Sequence, residues 1–262
     1  MLRHNTQEDT LENRYTRIFT TLNQRSVDVY AFRRMVALGK PLAARQSGIE
    51  DAALVEMVFT NPKYTSYWLN PTAAVRVLGG KPAIAERMTK AKMATMERAV
   101  DVASLVFIHS SLDGALSELC RVAAALRPDA WELSVANQKV TLAQVKASEY
   151  DALYHEKLER HLDQLERESL QFRARRLFQL CRPEATFDPI RSYVYDEERL
   201  VELDDLRHRL VHGAAEQETL PPIEEALEFL TKTGVYFVLM LSHSYGIKLD
   251  PLEGLKLPVR PN

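Results

Sequence analysis

Three side chains in one short segment have the types and spacing for acid–base chemistry on a phosphodiester. The segment is Asp204-Asp205-Leu206-Arg207-His208-Arg209-Leu210-Val211-His212-Gly213. Neutral imidazole can take a proton from a ribose 2′-hydroxyl, and imidazolium can return one to the leaving oxygen. Arg stays charged and can hold the non-bridging oxygens as negative charge builds. The implicated groups are Arg207, His208 and His212, with no carboxylate cluster expected beside them. Such chemistry calls for no metal and no cofactor.

Helical phase sharpens this. Leu203, Leu206 and Leu210 set the core direction, and at 100° per residue Arg207 falls inside the same arc. A guanidinium there must snorkel, meet a carboxylate, or lie at a cleft or subunit interface, because an unpaired buried charge is costly. His208 and His212 are four apart and share a face away from the leucines. Two blander readings stay open. The pair could ligate zinc, although no Cys or third ligand stands nearby in sequence. They could also be surface histidines at a helix end, where imidazolium favours the dipole.

The elements that must position this segment are helical. Apolar residues recur every three to four positions, without sustained period-2 alternation, and glycine is scarce at 9 residues. Leu11 to Leu22 and Val27 to Leu38 are expected as short helices. Gly79-Gly80-Lys81-Pro82 breaks the chain, and Pro82 suits the first turn of the next helix. One long helix is expected from Ala83 to Leu126, striped by Leu105, Ile108, Leu112, Leu116, Leu119, Val122 and Leu126 and stopped at Arg127-Pro128-Asp129. Thr141 could cap a short turn. A second long helix is expected from Glu149 to Cys181, with Leu158, Leu162, Leu165, Phe172, Leu177 and Leu180 inward. A third runs from near Asp196 to near Gly213, glycine being favoured just past a helix end. The fourth follows Pro221-Pro222, with Ile223, Leu227, Leu230, Phe237, Leu241 and Tyr245 on one stripe. Four helices with such stripes bury them most simply as an antiparallel bundle. The expected organisation is a helical extension over residues 1–82, a bundle over 83–248 and an extended tail over 249–262.

Composition bounds the function class. The 262 residues are 46% hydrophobic and 27% charged, as in globular chains. Cys120 and Cys181, inside helical patterns, read as core thiols and fit a reducing cytosol better than secretion. The first residues lack the apolar core of a signal peptide, and the longest apolar run near the C-terminus, Val235 to Leu241, is too short to span a bilayer. The expected location is therefore cytoplasmic, with no membrane partner. Residues 1–100 carry 15 Lys and Arg against 9 Asp and Glu, and residues 101–262 carry 19 against 27. That asymmetry suits a nucleic acid or an acidic partner at one end. Tyr64, Tyr67 and Trp68, beside Lys63 and Arg76, could stack bases, or serve as core or interface.

The Arg207–His212 segment resembles the signature of the HEPN superfamily: an Arg, four to six residues, then a His near the end of the third helix of a four-helix bundle. Arg207 and His212 bracket four residues. The position after the Arg, usually Asn and sometimes Asp or His, is His208, and Gly213 after the His is also common there. Phe107 to Leu119, with His109, small residues and Asp113 and Glu118 before and among the leucines, looks like that family's first helix. Arg176-Leu177-Phe178-Gln179-Leu180 looks like the end of its second. The resemblance spans residues 83 to 248, about two thirds of the chain.

What the resemblance implies is an all-α, HEPN-type four-helix bundle with two long helices, here carrying an N-terminal helical extension. Many such proteins are metal-independent endoribonucleases acting as toxins or antiviral defence effectors; others are non-catalytic binding modules. The implied partners are an RNA substrate, a second copy that brings two motifs across one composite cleft, and an antitoxin or regulatory protein. Arg207, His208 and His212 are the catalytic candidates. His109 and Asp113, four apart, are candidate cleft residues or else a helix-stabilising polar pair.

Overall fold

The fold is taken from a computed structural model. It describes residues 10–65, 71–132, 135, 138, 149–184, 187–190, 193–213, 218–247 and 249. The protein is all-α, with no strand among the described residues. The chain divides into two compact units: Met1–Val27 with Leu105–Asn262, and Asp28–Ser104. The division expected at 82/83 marks a helix start, whereas the units part at 27/28 and 104/105.

The two short N-terminal helices expected are one helix, α1 (Leu11–Thr60), with Pro41 inside it. Ser26 lies inside it, buried, with its hydroxyl donating to the Leu22 carbonyl at 2.9 Å. Short helices α2 (Pro62–Thr65) and α3 (Pro71–Val77) precede α4 (Lys81–Leu126), which starts at the expected break and stops just before Arg127. Residues 66–70, with Tyr67 and Trp68, and the side chain of Tyr64 lie outside the description. So do Thr141 and almost all of the expected tail.

In the 28–104 unit, α1 and α4 run antiparallel along a ladder of ion pairs. Arg33 meets Asp101, Lys40 meets Glu97, Asp51 meets Lys92 and Glu56 meets Lys81. Asp51 is buried and also accepts from Thr89 Oγ1 at 2.8 Å and Ser47 Oγ at 3.3 Å. The Lys92 ammonium, followed by the two hydroxyls, holds its carboxyl below the usual carboxylate range.

The other unit is a helix bundle. Its members are the start of α1, the end of α4, α5 (Tyr150–Leu165), α6 (Leu170–Cys181), α7 (Glu197–Val211) and α8 (Ile223–Tyr245). By length and composition alone α4 could cross a bilayer. Its stripe Leu105, Ile108, Leu112, Leu116 and Leu119 is instead buried in the bundle core, with Leu200 and Leu203 of α7 and Leu227, Leu230 and Phe237 of α8. Tyr15 on α1 is fully buried and donates to the Val238 carbonyl of α8. Gly234 lets α8 come close, since a Cβ there would sit 3.1 Å from Leu22 Cδ1 and 3.4 Å from Leu112 Cδ1.

The expected second long helix is two. α5 ends at Leu165, and Ser169 caps α6 by accepting from the Phe172 N–H at 3.4 Å. At the end of α5 the buried Arg173 guanidinium donates to the Glu166 carbonyl at 2.7 Å and, at 3.4 Å, to the Leu165 carbonyl, which also accepts from the Glu168 N–H at 3.2 Å. The break resets the helical phase. Leu170, Arg173, Ala174 and Leu177 turn inward, while Phe172, expected in the core, is exposed and Leu180 is only half-buried.

Candidate functional site

α7 begins at Asp196, whose carboxylate accepts from the Arg199 N–H at 3.0 Å, and ends at His212. Leu203, Leu206 and Leu210 are buried, which fixes the helix phase. Arg207 is half-buried, and its Nε is buried without a hydrogen-bond partner among the described residues. His208 and His212 are exposed one turn apart, with ring centroids 4.4 Å apart. The His212 N–H closes the last turn on the His208 carbonyl at 3.1 Å. Gly213 follows with φ +116, a conformation that L side chains rarely adopt.

Arg207 and His208 open onto a cavity of about 360 Å³ formed by α4, the α5–α6 turn, α6 and α7. His109 and Asp113 of α4 line the same cavity. Four of the five candidates thus share one cavity, while His212 is not among its described lining residues.

The cavity also holds residues that sequence reasoning passed over. His109 is 2% exposed, and its Nε2 lies 3.0 Å from Asp204 Oδ1. His109 and Asp113 do not pair with each other: Asp113 pairs with Arg173. The His109 imidazole is the largest influence holding the Asp204 carboxyl below its usual range. The Leu170 N–H and Arg207 add to it against the opposing effect of burial. Arg173 is buried because it caps α5 and meets Asp113.

The expectation of no carboxylate cluster beside the motif is corrected, since Asp113, Glu166, Asp204 and Asp205 all line the cavity. Three of them have cations or imidazole of their own: Asp113 has Arg173, Glu166 has Arg121 and Asp204 has His109. Among the described residues no group of three or more His, Cys, Asp and Glu is arranged to hold a metal.

A larger cavity, about 760 Å³, adjoins the first through Asp113 and Glu166. Arg14, Arg17 and Arg25 of α1 form one wall, and Ser111, Gly114 and Ser117 of α4 the other. Arg14 holds Glu118 at 2.7 Å, and Arg25 reaches Ser111 Oγ at 3.5 Å. Periodicity places these arginines on one face, yet nothing local shows that this face meets α4. Cys120 is fully buried, and burial pushes its thiol up to about 12; Cys181 is pushed up to about 11 for the same reason. Neither thiol is a ready nucleophile at neutral pH. No protein-family model, no curated protein and no solved structure matches this chain.

Proposed function

We propose that the protein is a metal-independent endoribonuclease of HEPN type, acting in the cytoplasm as a toxin or antiviral defence effector. The observation that carries this reading is one cavity lined by Arg207, His208 and His109. A 2′-hydroxyl attacks the adjacent phosphate and leaves a 2′,3′-cyclic phosphate. His212 serves proton transfer, Arg207 holds the phosphate oxygens, and His208 orients the phosphate or carries a second proton. The unpartnered Arg207 Nε supports the guanidinium role, since a buried donor without a partner gains most from an incoming phosphate oxygen. One chain supplies one such motif. The reading therefore includes a homodimer with two motifs across one cleft, and an antitoxin or regulatory protein that restrains it.

A second reading is a non-catalytic HEPN-type module that binds a protein or nucleic acid. It is favoured by one observation: His212 lies outside the cavity lining, on an exposed helix end. Purified protein incubated with mixed RNA and a chelator separates the two. Cleavage under chelator that vanishes in His212→Ala, with the melting temperature nearly unchanged, supports the enzyme. His212→Ala should change stability by no more than about 0.5 kcal/mol, as for surface positions. Leu206→Ala should cost about 2–5 kcal/mol through a core cavity and lose activity only with the fold. RNA binding without turnover overturns the enzyme reading, and activity that requires added magnesium overturns its metal independence.

A further inference from the structure

We infer that His109 is the base of the proposed reaction and that Asp204 is the residue that positions it, an assignment that rests on RNA cleavage at this cavity. His109 is 2% exposed, lines the cavity with Arg207 and His208, and leaves Nδ1 buried without a partner. A buried polar atom left unpaired is costly, and such atoms in folded proteins call for an explanation. A ligand entering the cavity supplies one.

The contacts assign the ring's proton. Nε2 faces the Asp204 carboxylate at 3.0 Å, so the neutral ring keeps its hydrogen on Nε2 and its lone pair on Nδ1. The N–H direction at Nε2 misses the oxygen, so the contact is a close approach rather than a formed hydrogen bond. Loose alignment of this kind is common in active sites before substrate binds. Asp204 has the ionised form that the role needs, because His109 and then the Leu170 N–H and Arg207 favour its charge.

The other charged groups facing His109 are Asp113 on its own helix, Glu166, Arg167 and Glu168 in the α5–α6 turn, Arg173 on α6, and Asp205, Arg207 and His208 on α7. Asp113 and Glu166 are tied to Arg173 and Arg121, so Asp204 is the carboxylate in contact with the imidazole. The step balances. Nδ1 takes the 2′-hydroxyl proton, O2′ bonds to phosphorus, the P–O5′ bond breaks, and O5′ takes a proton from the His212 or His208 imidazolium. One imidazole gains the proton the other loses, and exchange with water resets both.

The test uses the full chain and single-stranded RNA under chelator, comparing wild type, His109→Gln and Asp204→Asn. Cleavage is followed against pH and the ring nitrogens by ¹⁵N NMR. His109→Gln, folded by circular dichroism, should lose about 100-fold or more in rate, the usual scale of general-base catalysis, while still binding RNA. Asp204→Asn should move the acidic limb of the pH–rate profile to lower pH, because it removes the anion that supports imidazolium. It should also release the His109 ring from its Nε2–H tautomer. If wild type cuts RNA and folded His109→Gln cuts equally well, the assignment falls and the ribonuclease reading stands. If His109→Gln does not fold, an Asp204→Asn profile and ring spectrum that superimpose on wild type overturn it. If wild type cuts no RNA, the reading and the assignment fall together.

Discussion

Asp204 stands three residues before Arg207 on α7, and its carboxylate faces a buried imidazole from α4. The α7 half of this site was legible in the sequence. The leucine phase placed Arg207 in the core arc and His208 with His212 outside it by local arithmetic. The α4 half was legible only as a polar pair, because the partner of His109 lies 95 residues further along the chain and no periodicity encodes that. Since the fold holds the Asp204 carboxyl below its usual range, its ionised form stabilises the native state. That contribution is complete above the unfolded value of about 3.9 and is lost as pH falls through the lower folded value. Asp204→Asn should therefore melt at a lower temperature than wild type at neutral pH, and the gap should close in acid. Paired melts from neutral to strongly acidic pH check this. A gap that stays constant would mean that Asp204 contributes shape rather than charge.

At the scale of elements, the helix ends that were foreseen have local causes: Pro82, Arg127-Pro128, Asp196 and Gly213. Those that were missed, at Ser26 and between α5 and α6, involve partners distant in sequence. Ser26 is buried inside α1, where its hydroxyl donates to the Leu22 carbonyl and lies 3.2 Å from Thr231 Oγ1 of α8. The break between α5 and α6 is sealed by Arg173, which Asp113 of α4 fixes in place. That break sets Ser169 and Leu170 on the cavity wall, so the misread helix is also the one that builds the site. Two glycines test the helix packing in opposite directions. Gly234→Ala puts a methyl 3.1 Å and 3.3 Å from the two buried Leu22 methyls and should destabilise the bundle by about 1 kcal/mol or more through overpacking. Gly114 is exposed inside α4 and a Cβ there meets nothing within 4 Å, so Gly114→Ala should stabilise by about 0.5–1 kcal/mol. Thermal melts of both variants should move to opposite sides of wild type. A Gly234→Ala protein more stable than wild type would show that Leu22 yields freely and that the close approach of α8 is not a constraint.

At the scale of the whole molecule, the basic excess of the first hundred residues is shared between the two units. In 28–104 it holds α1 against α4 through Arg33, Lys40, Lys81 and Lys92. In the bundle unit, Arg14, Arg17 and Arg25 stand over a cavity that adjoins the candidate site. Every candidate site residue belongs to the bundle unit, yet one chain carries a single Arg207 with its unpartnered Nε and one exposed His208–His212 pair. A two-fold contact presents the same patch from both copies, so a second chain would set a second Arg207 and His212 across the same phosphate. The proposed homodimer then makes a prediction that a self-sufficient monomer does not. Arg207→Ala and His212→Ala, each inactive alone, should regain part of the cleavage activity when mixed and allowed to exchange, because a mixed dimer keeps one intact Arg207 and one intact His212. Light scattering of the wild type at micromolar concentration should give twice the chain mass of 29.9 kDa. A monomeric mass with full activity, or a mixed dimer confirmed by mass that stays silent, would place all the chemistry within one chain. The dimer would then have no part in the cleft.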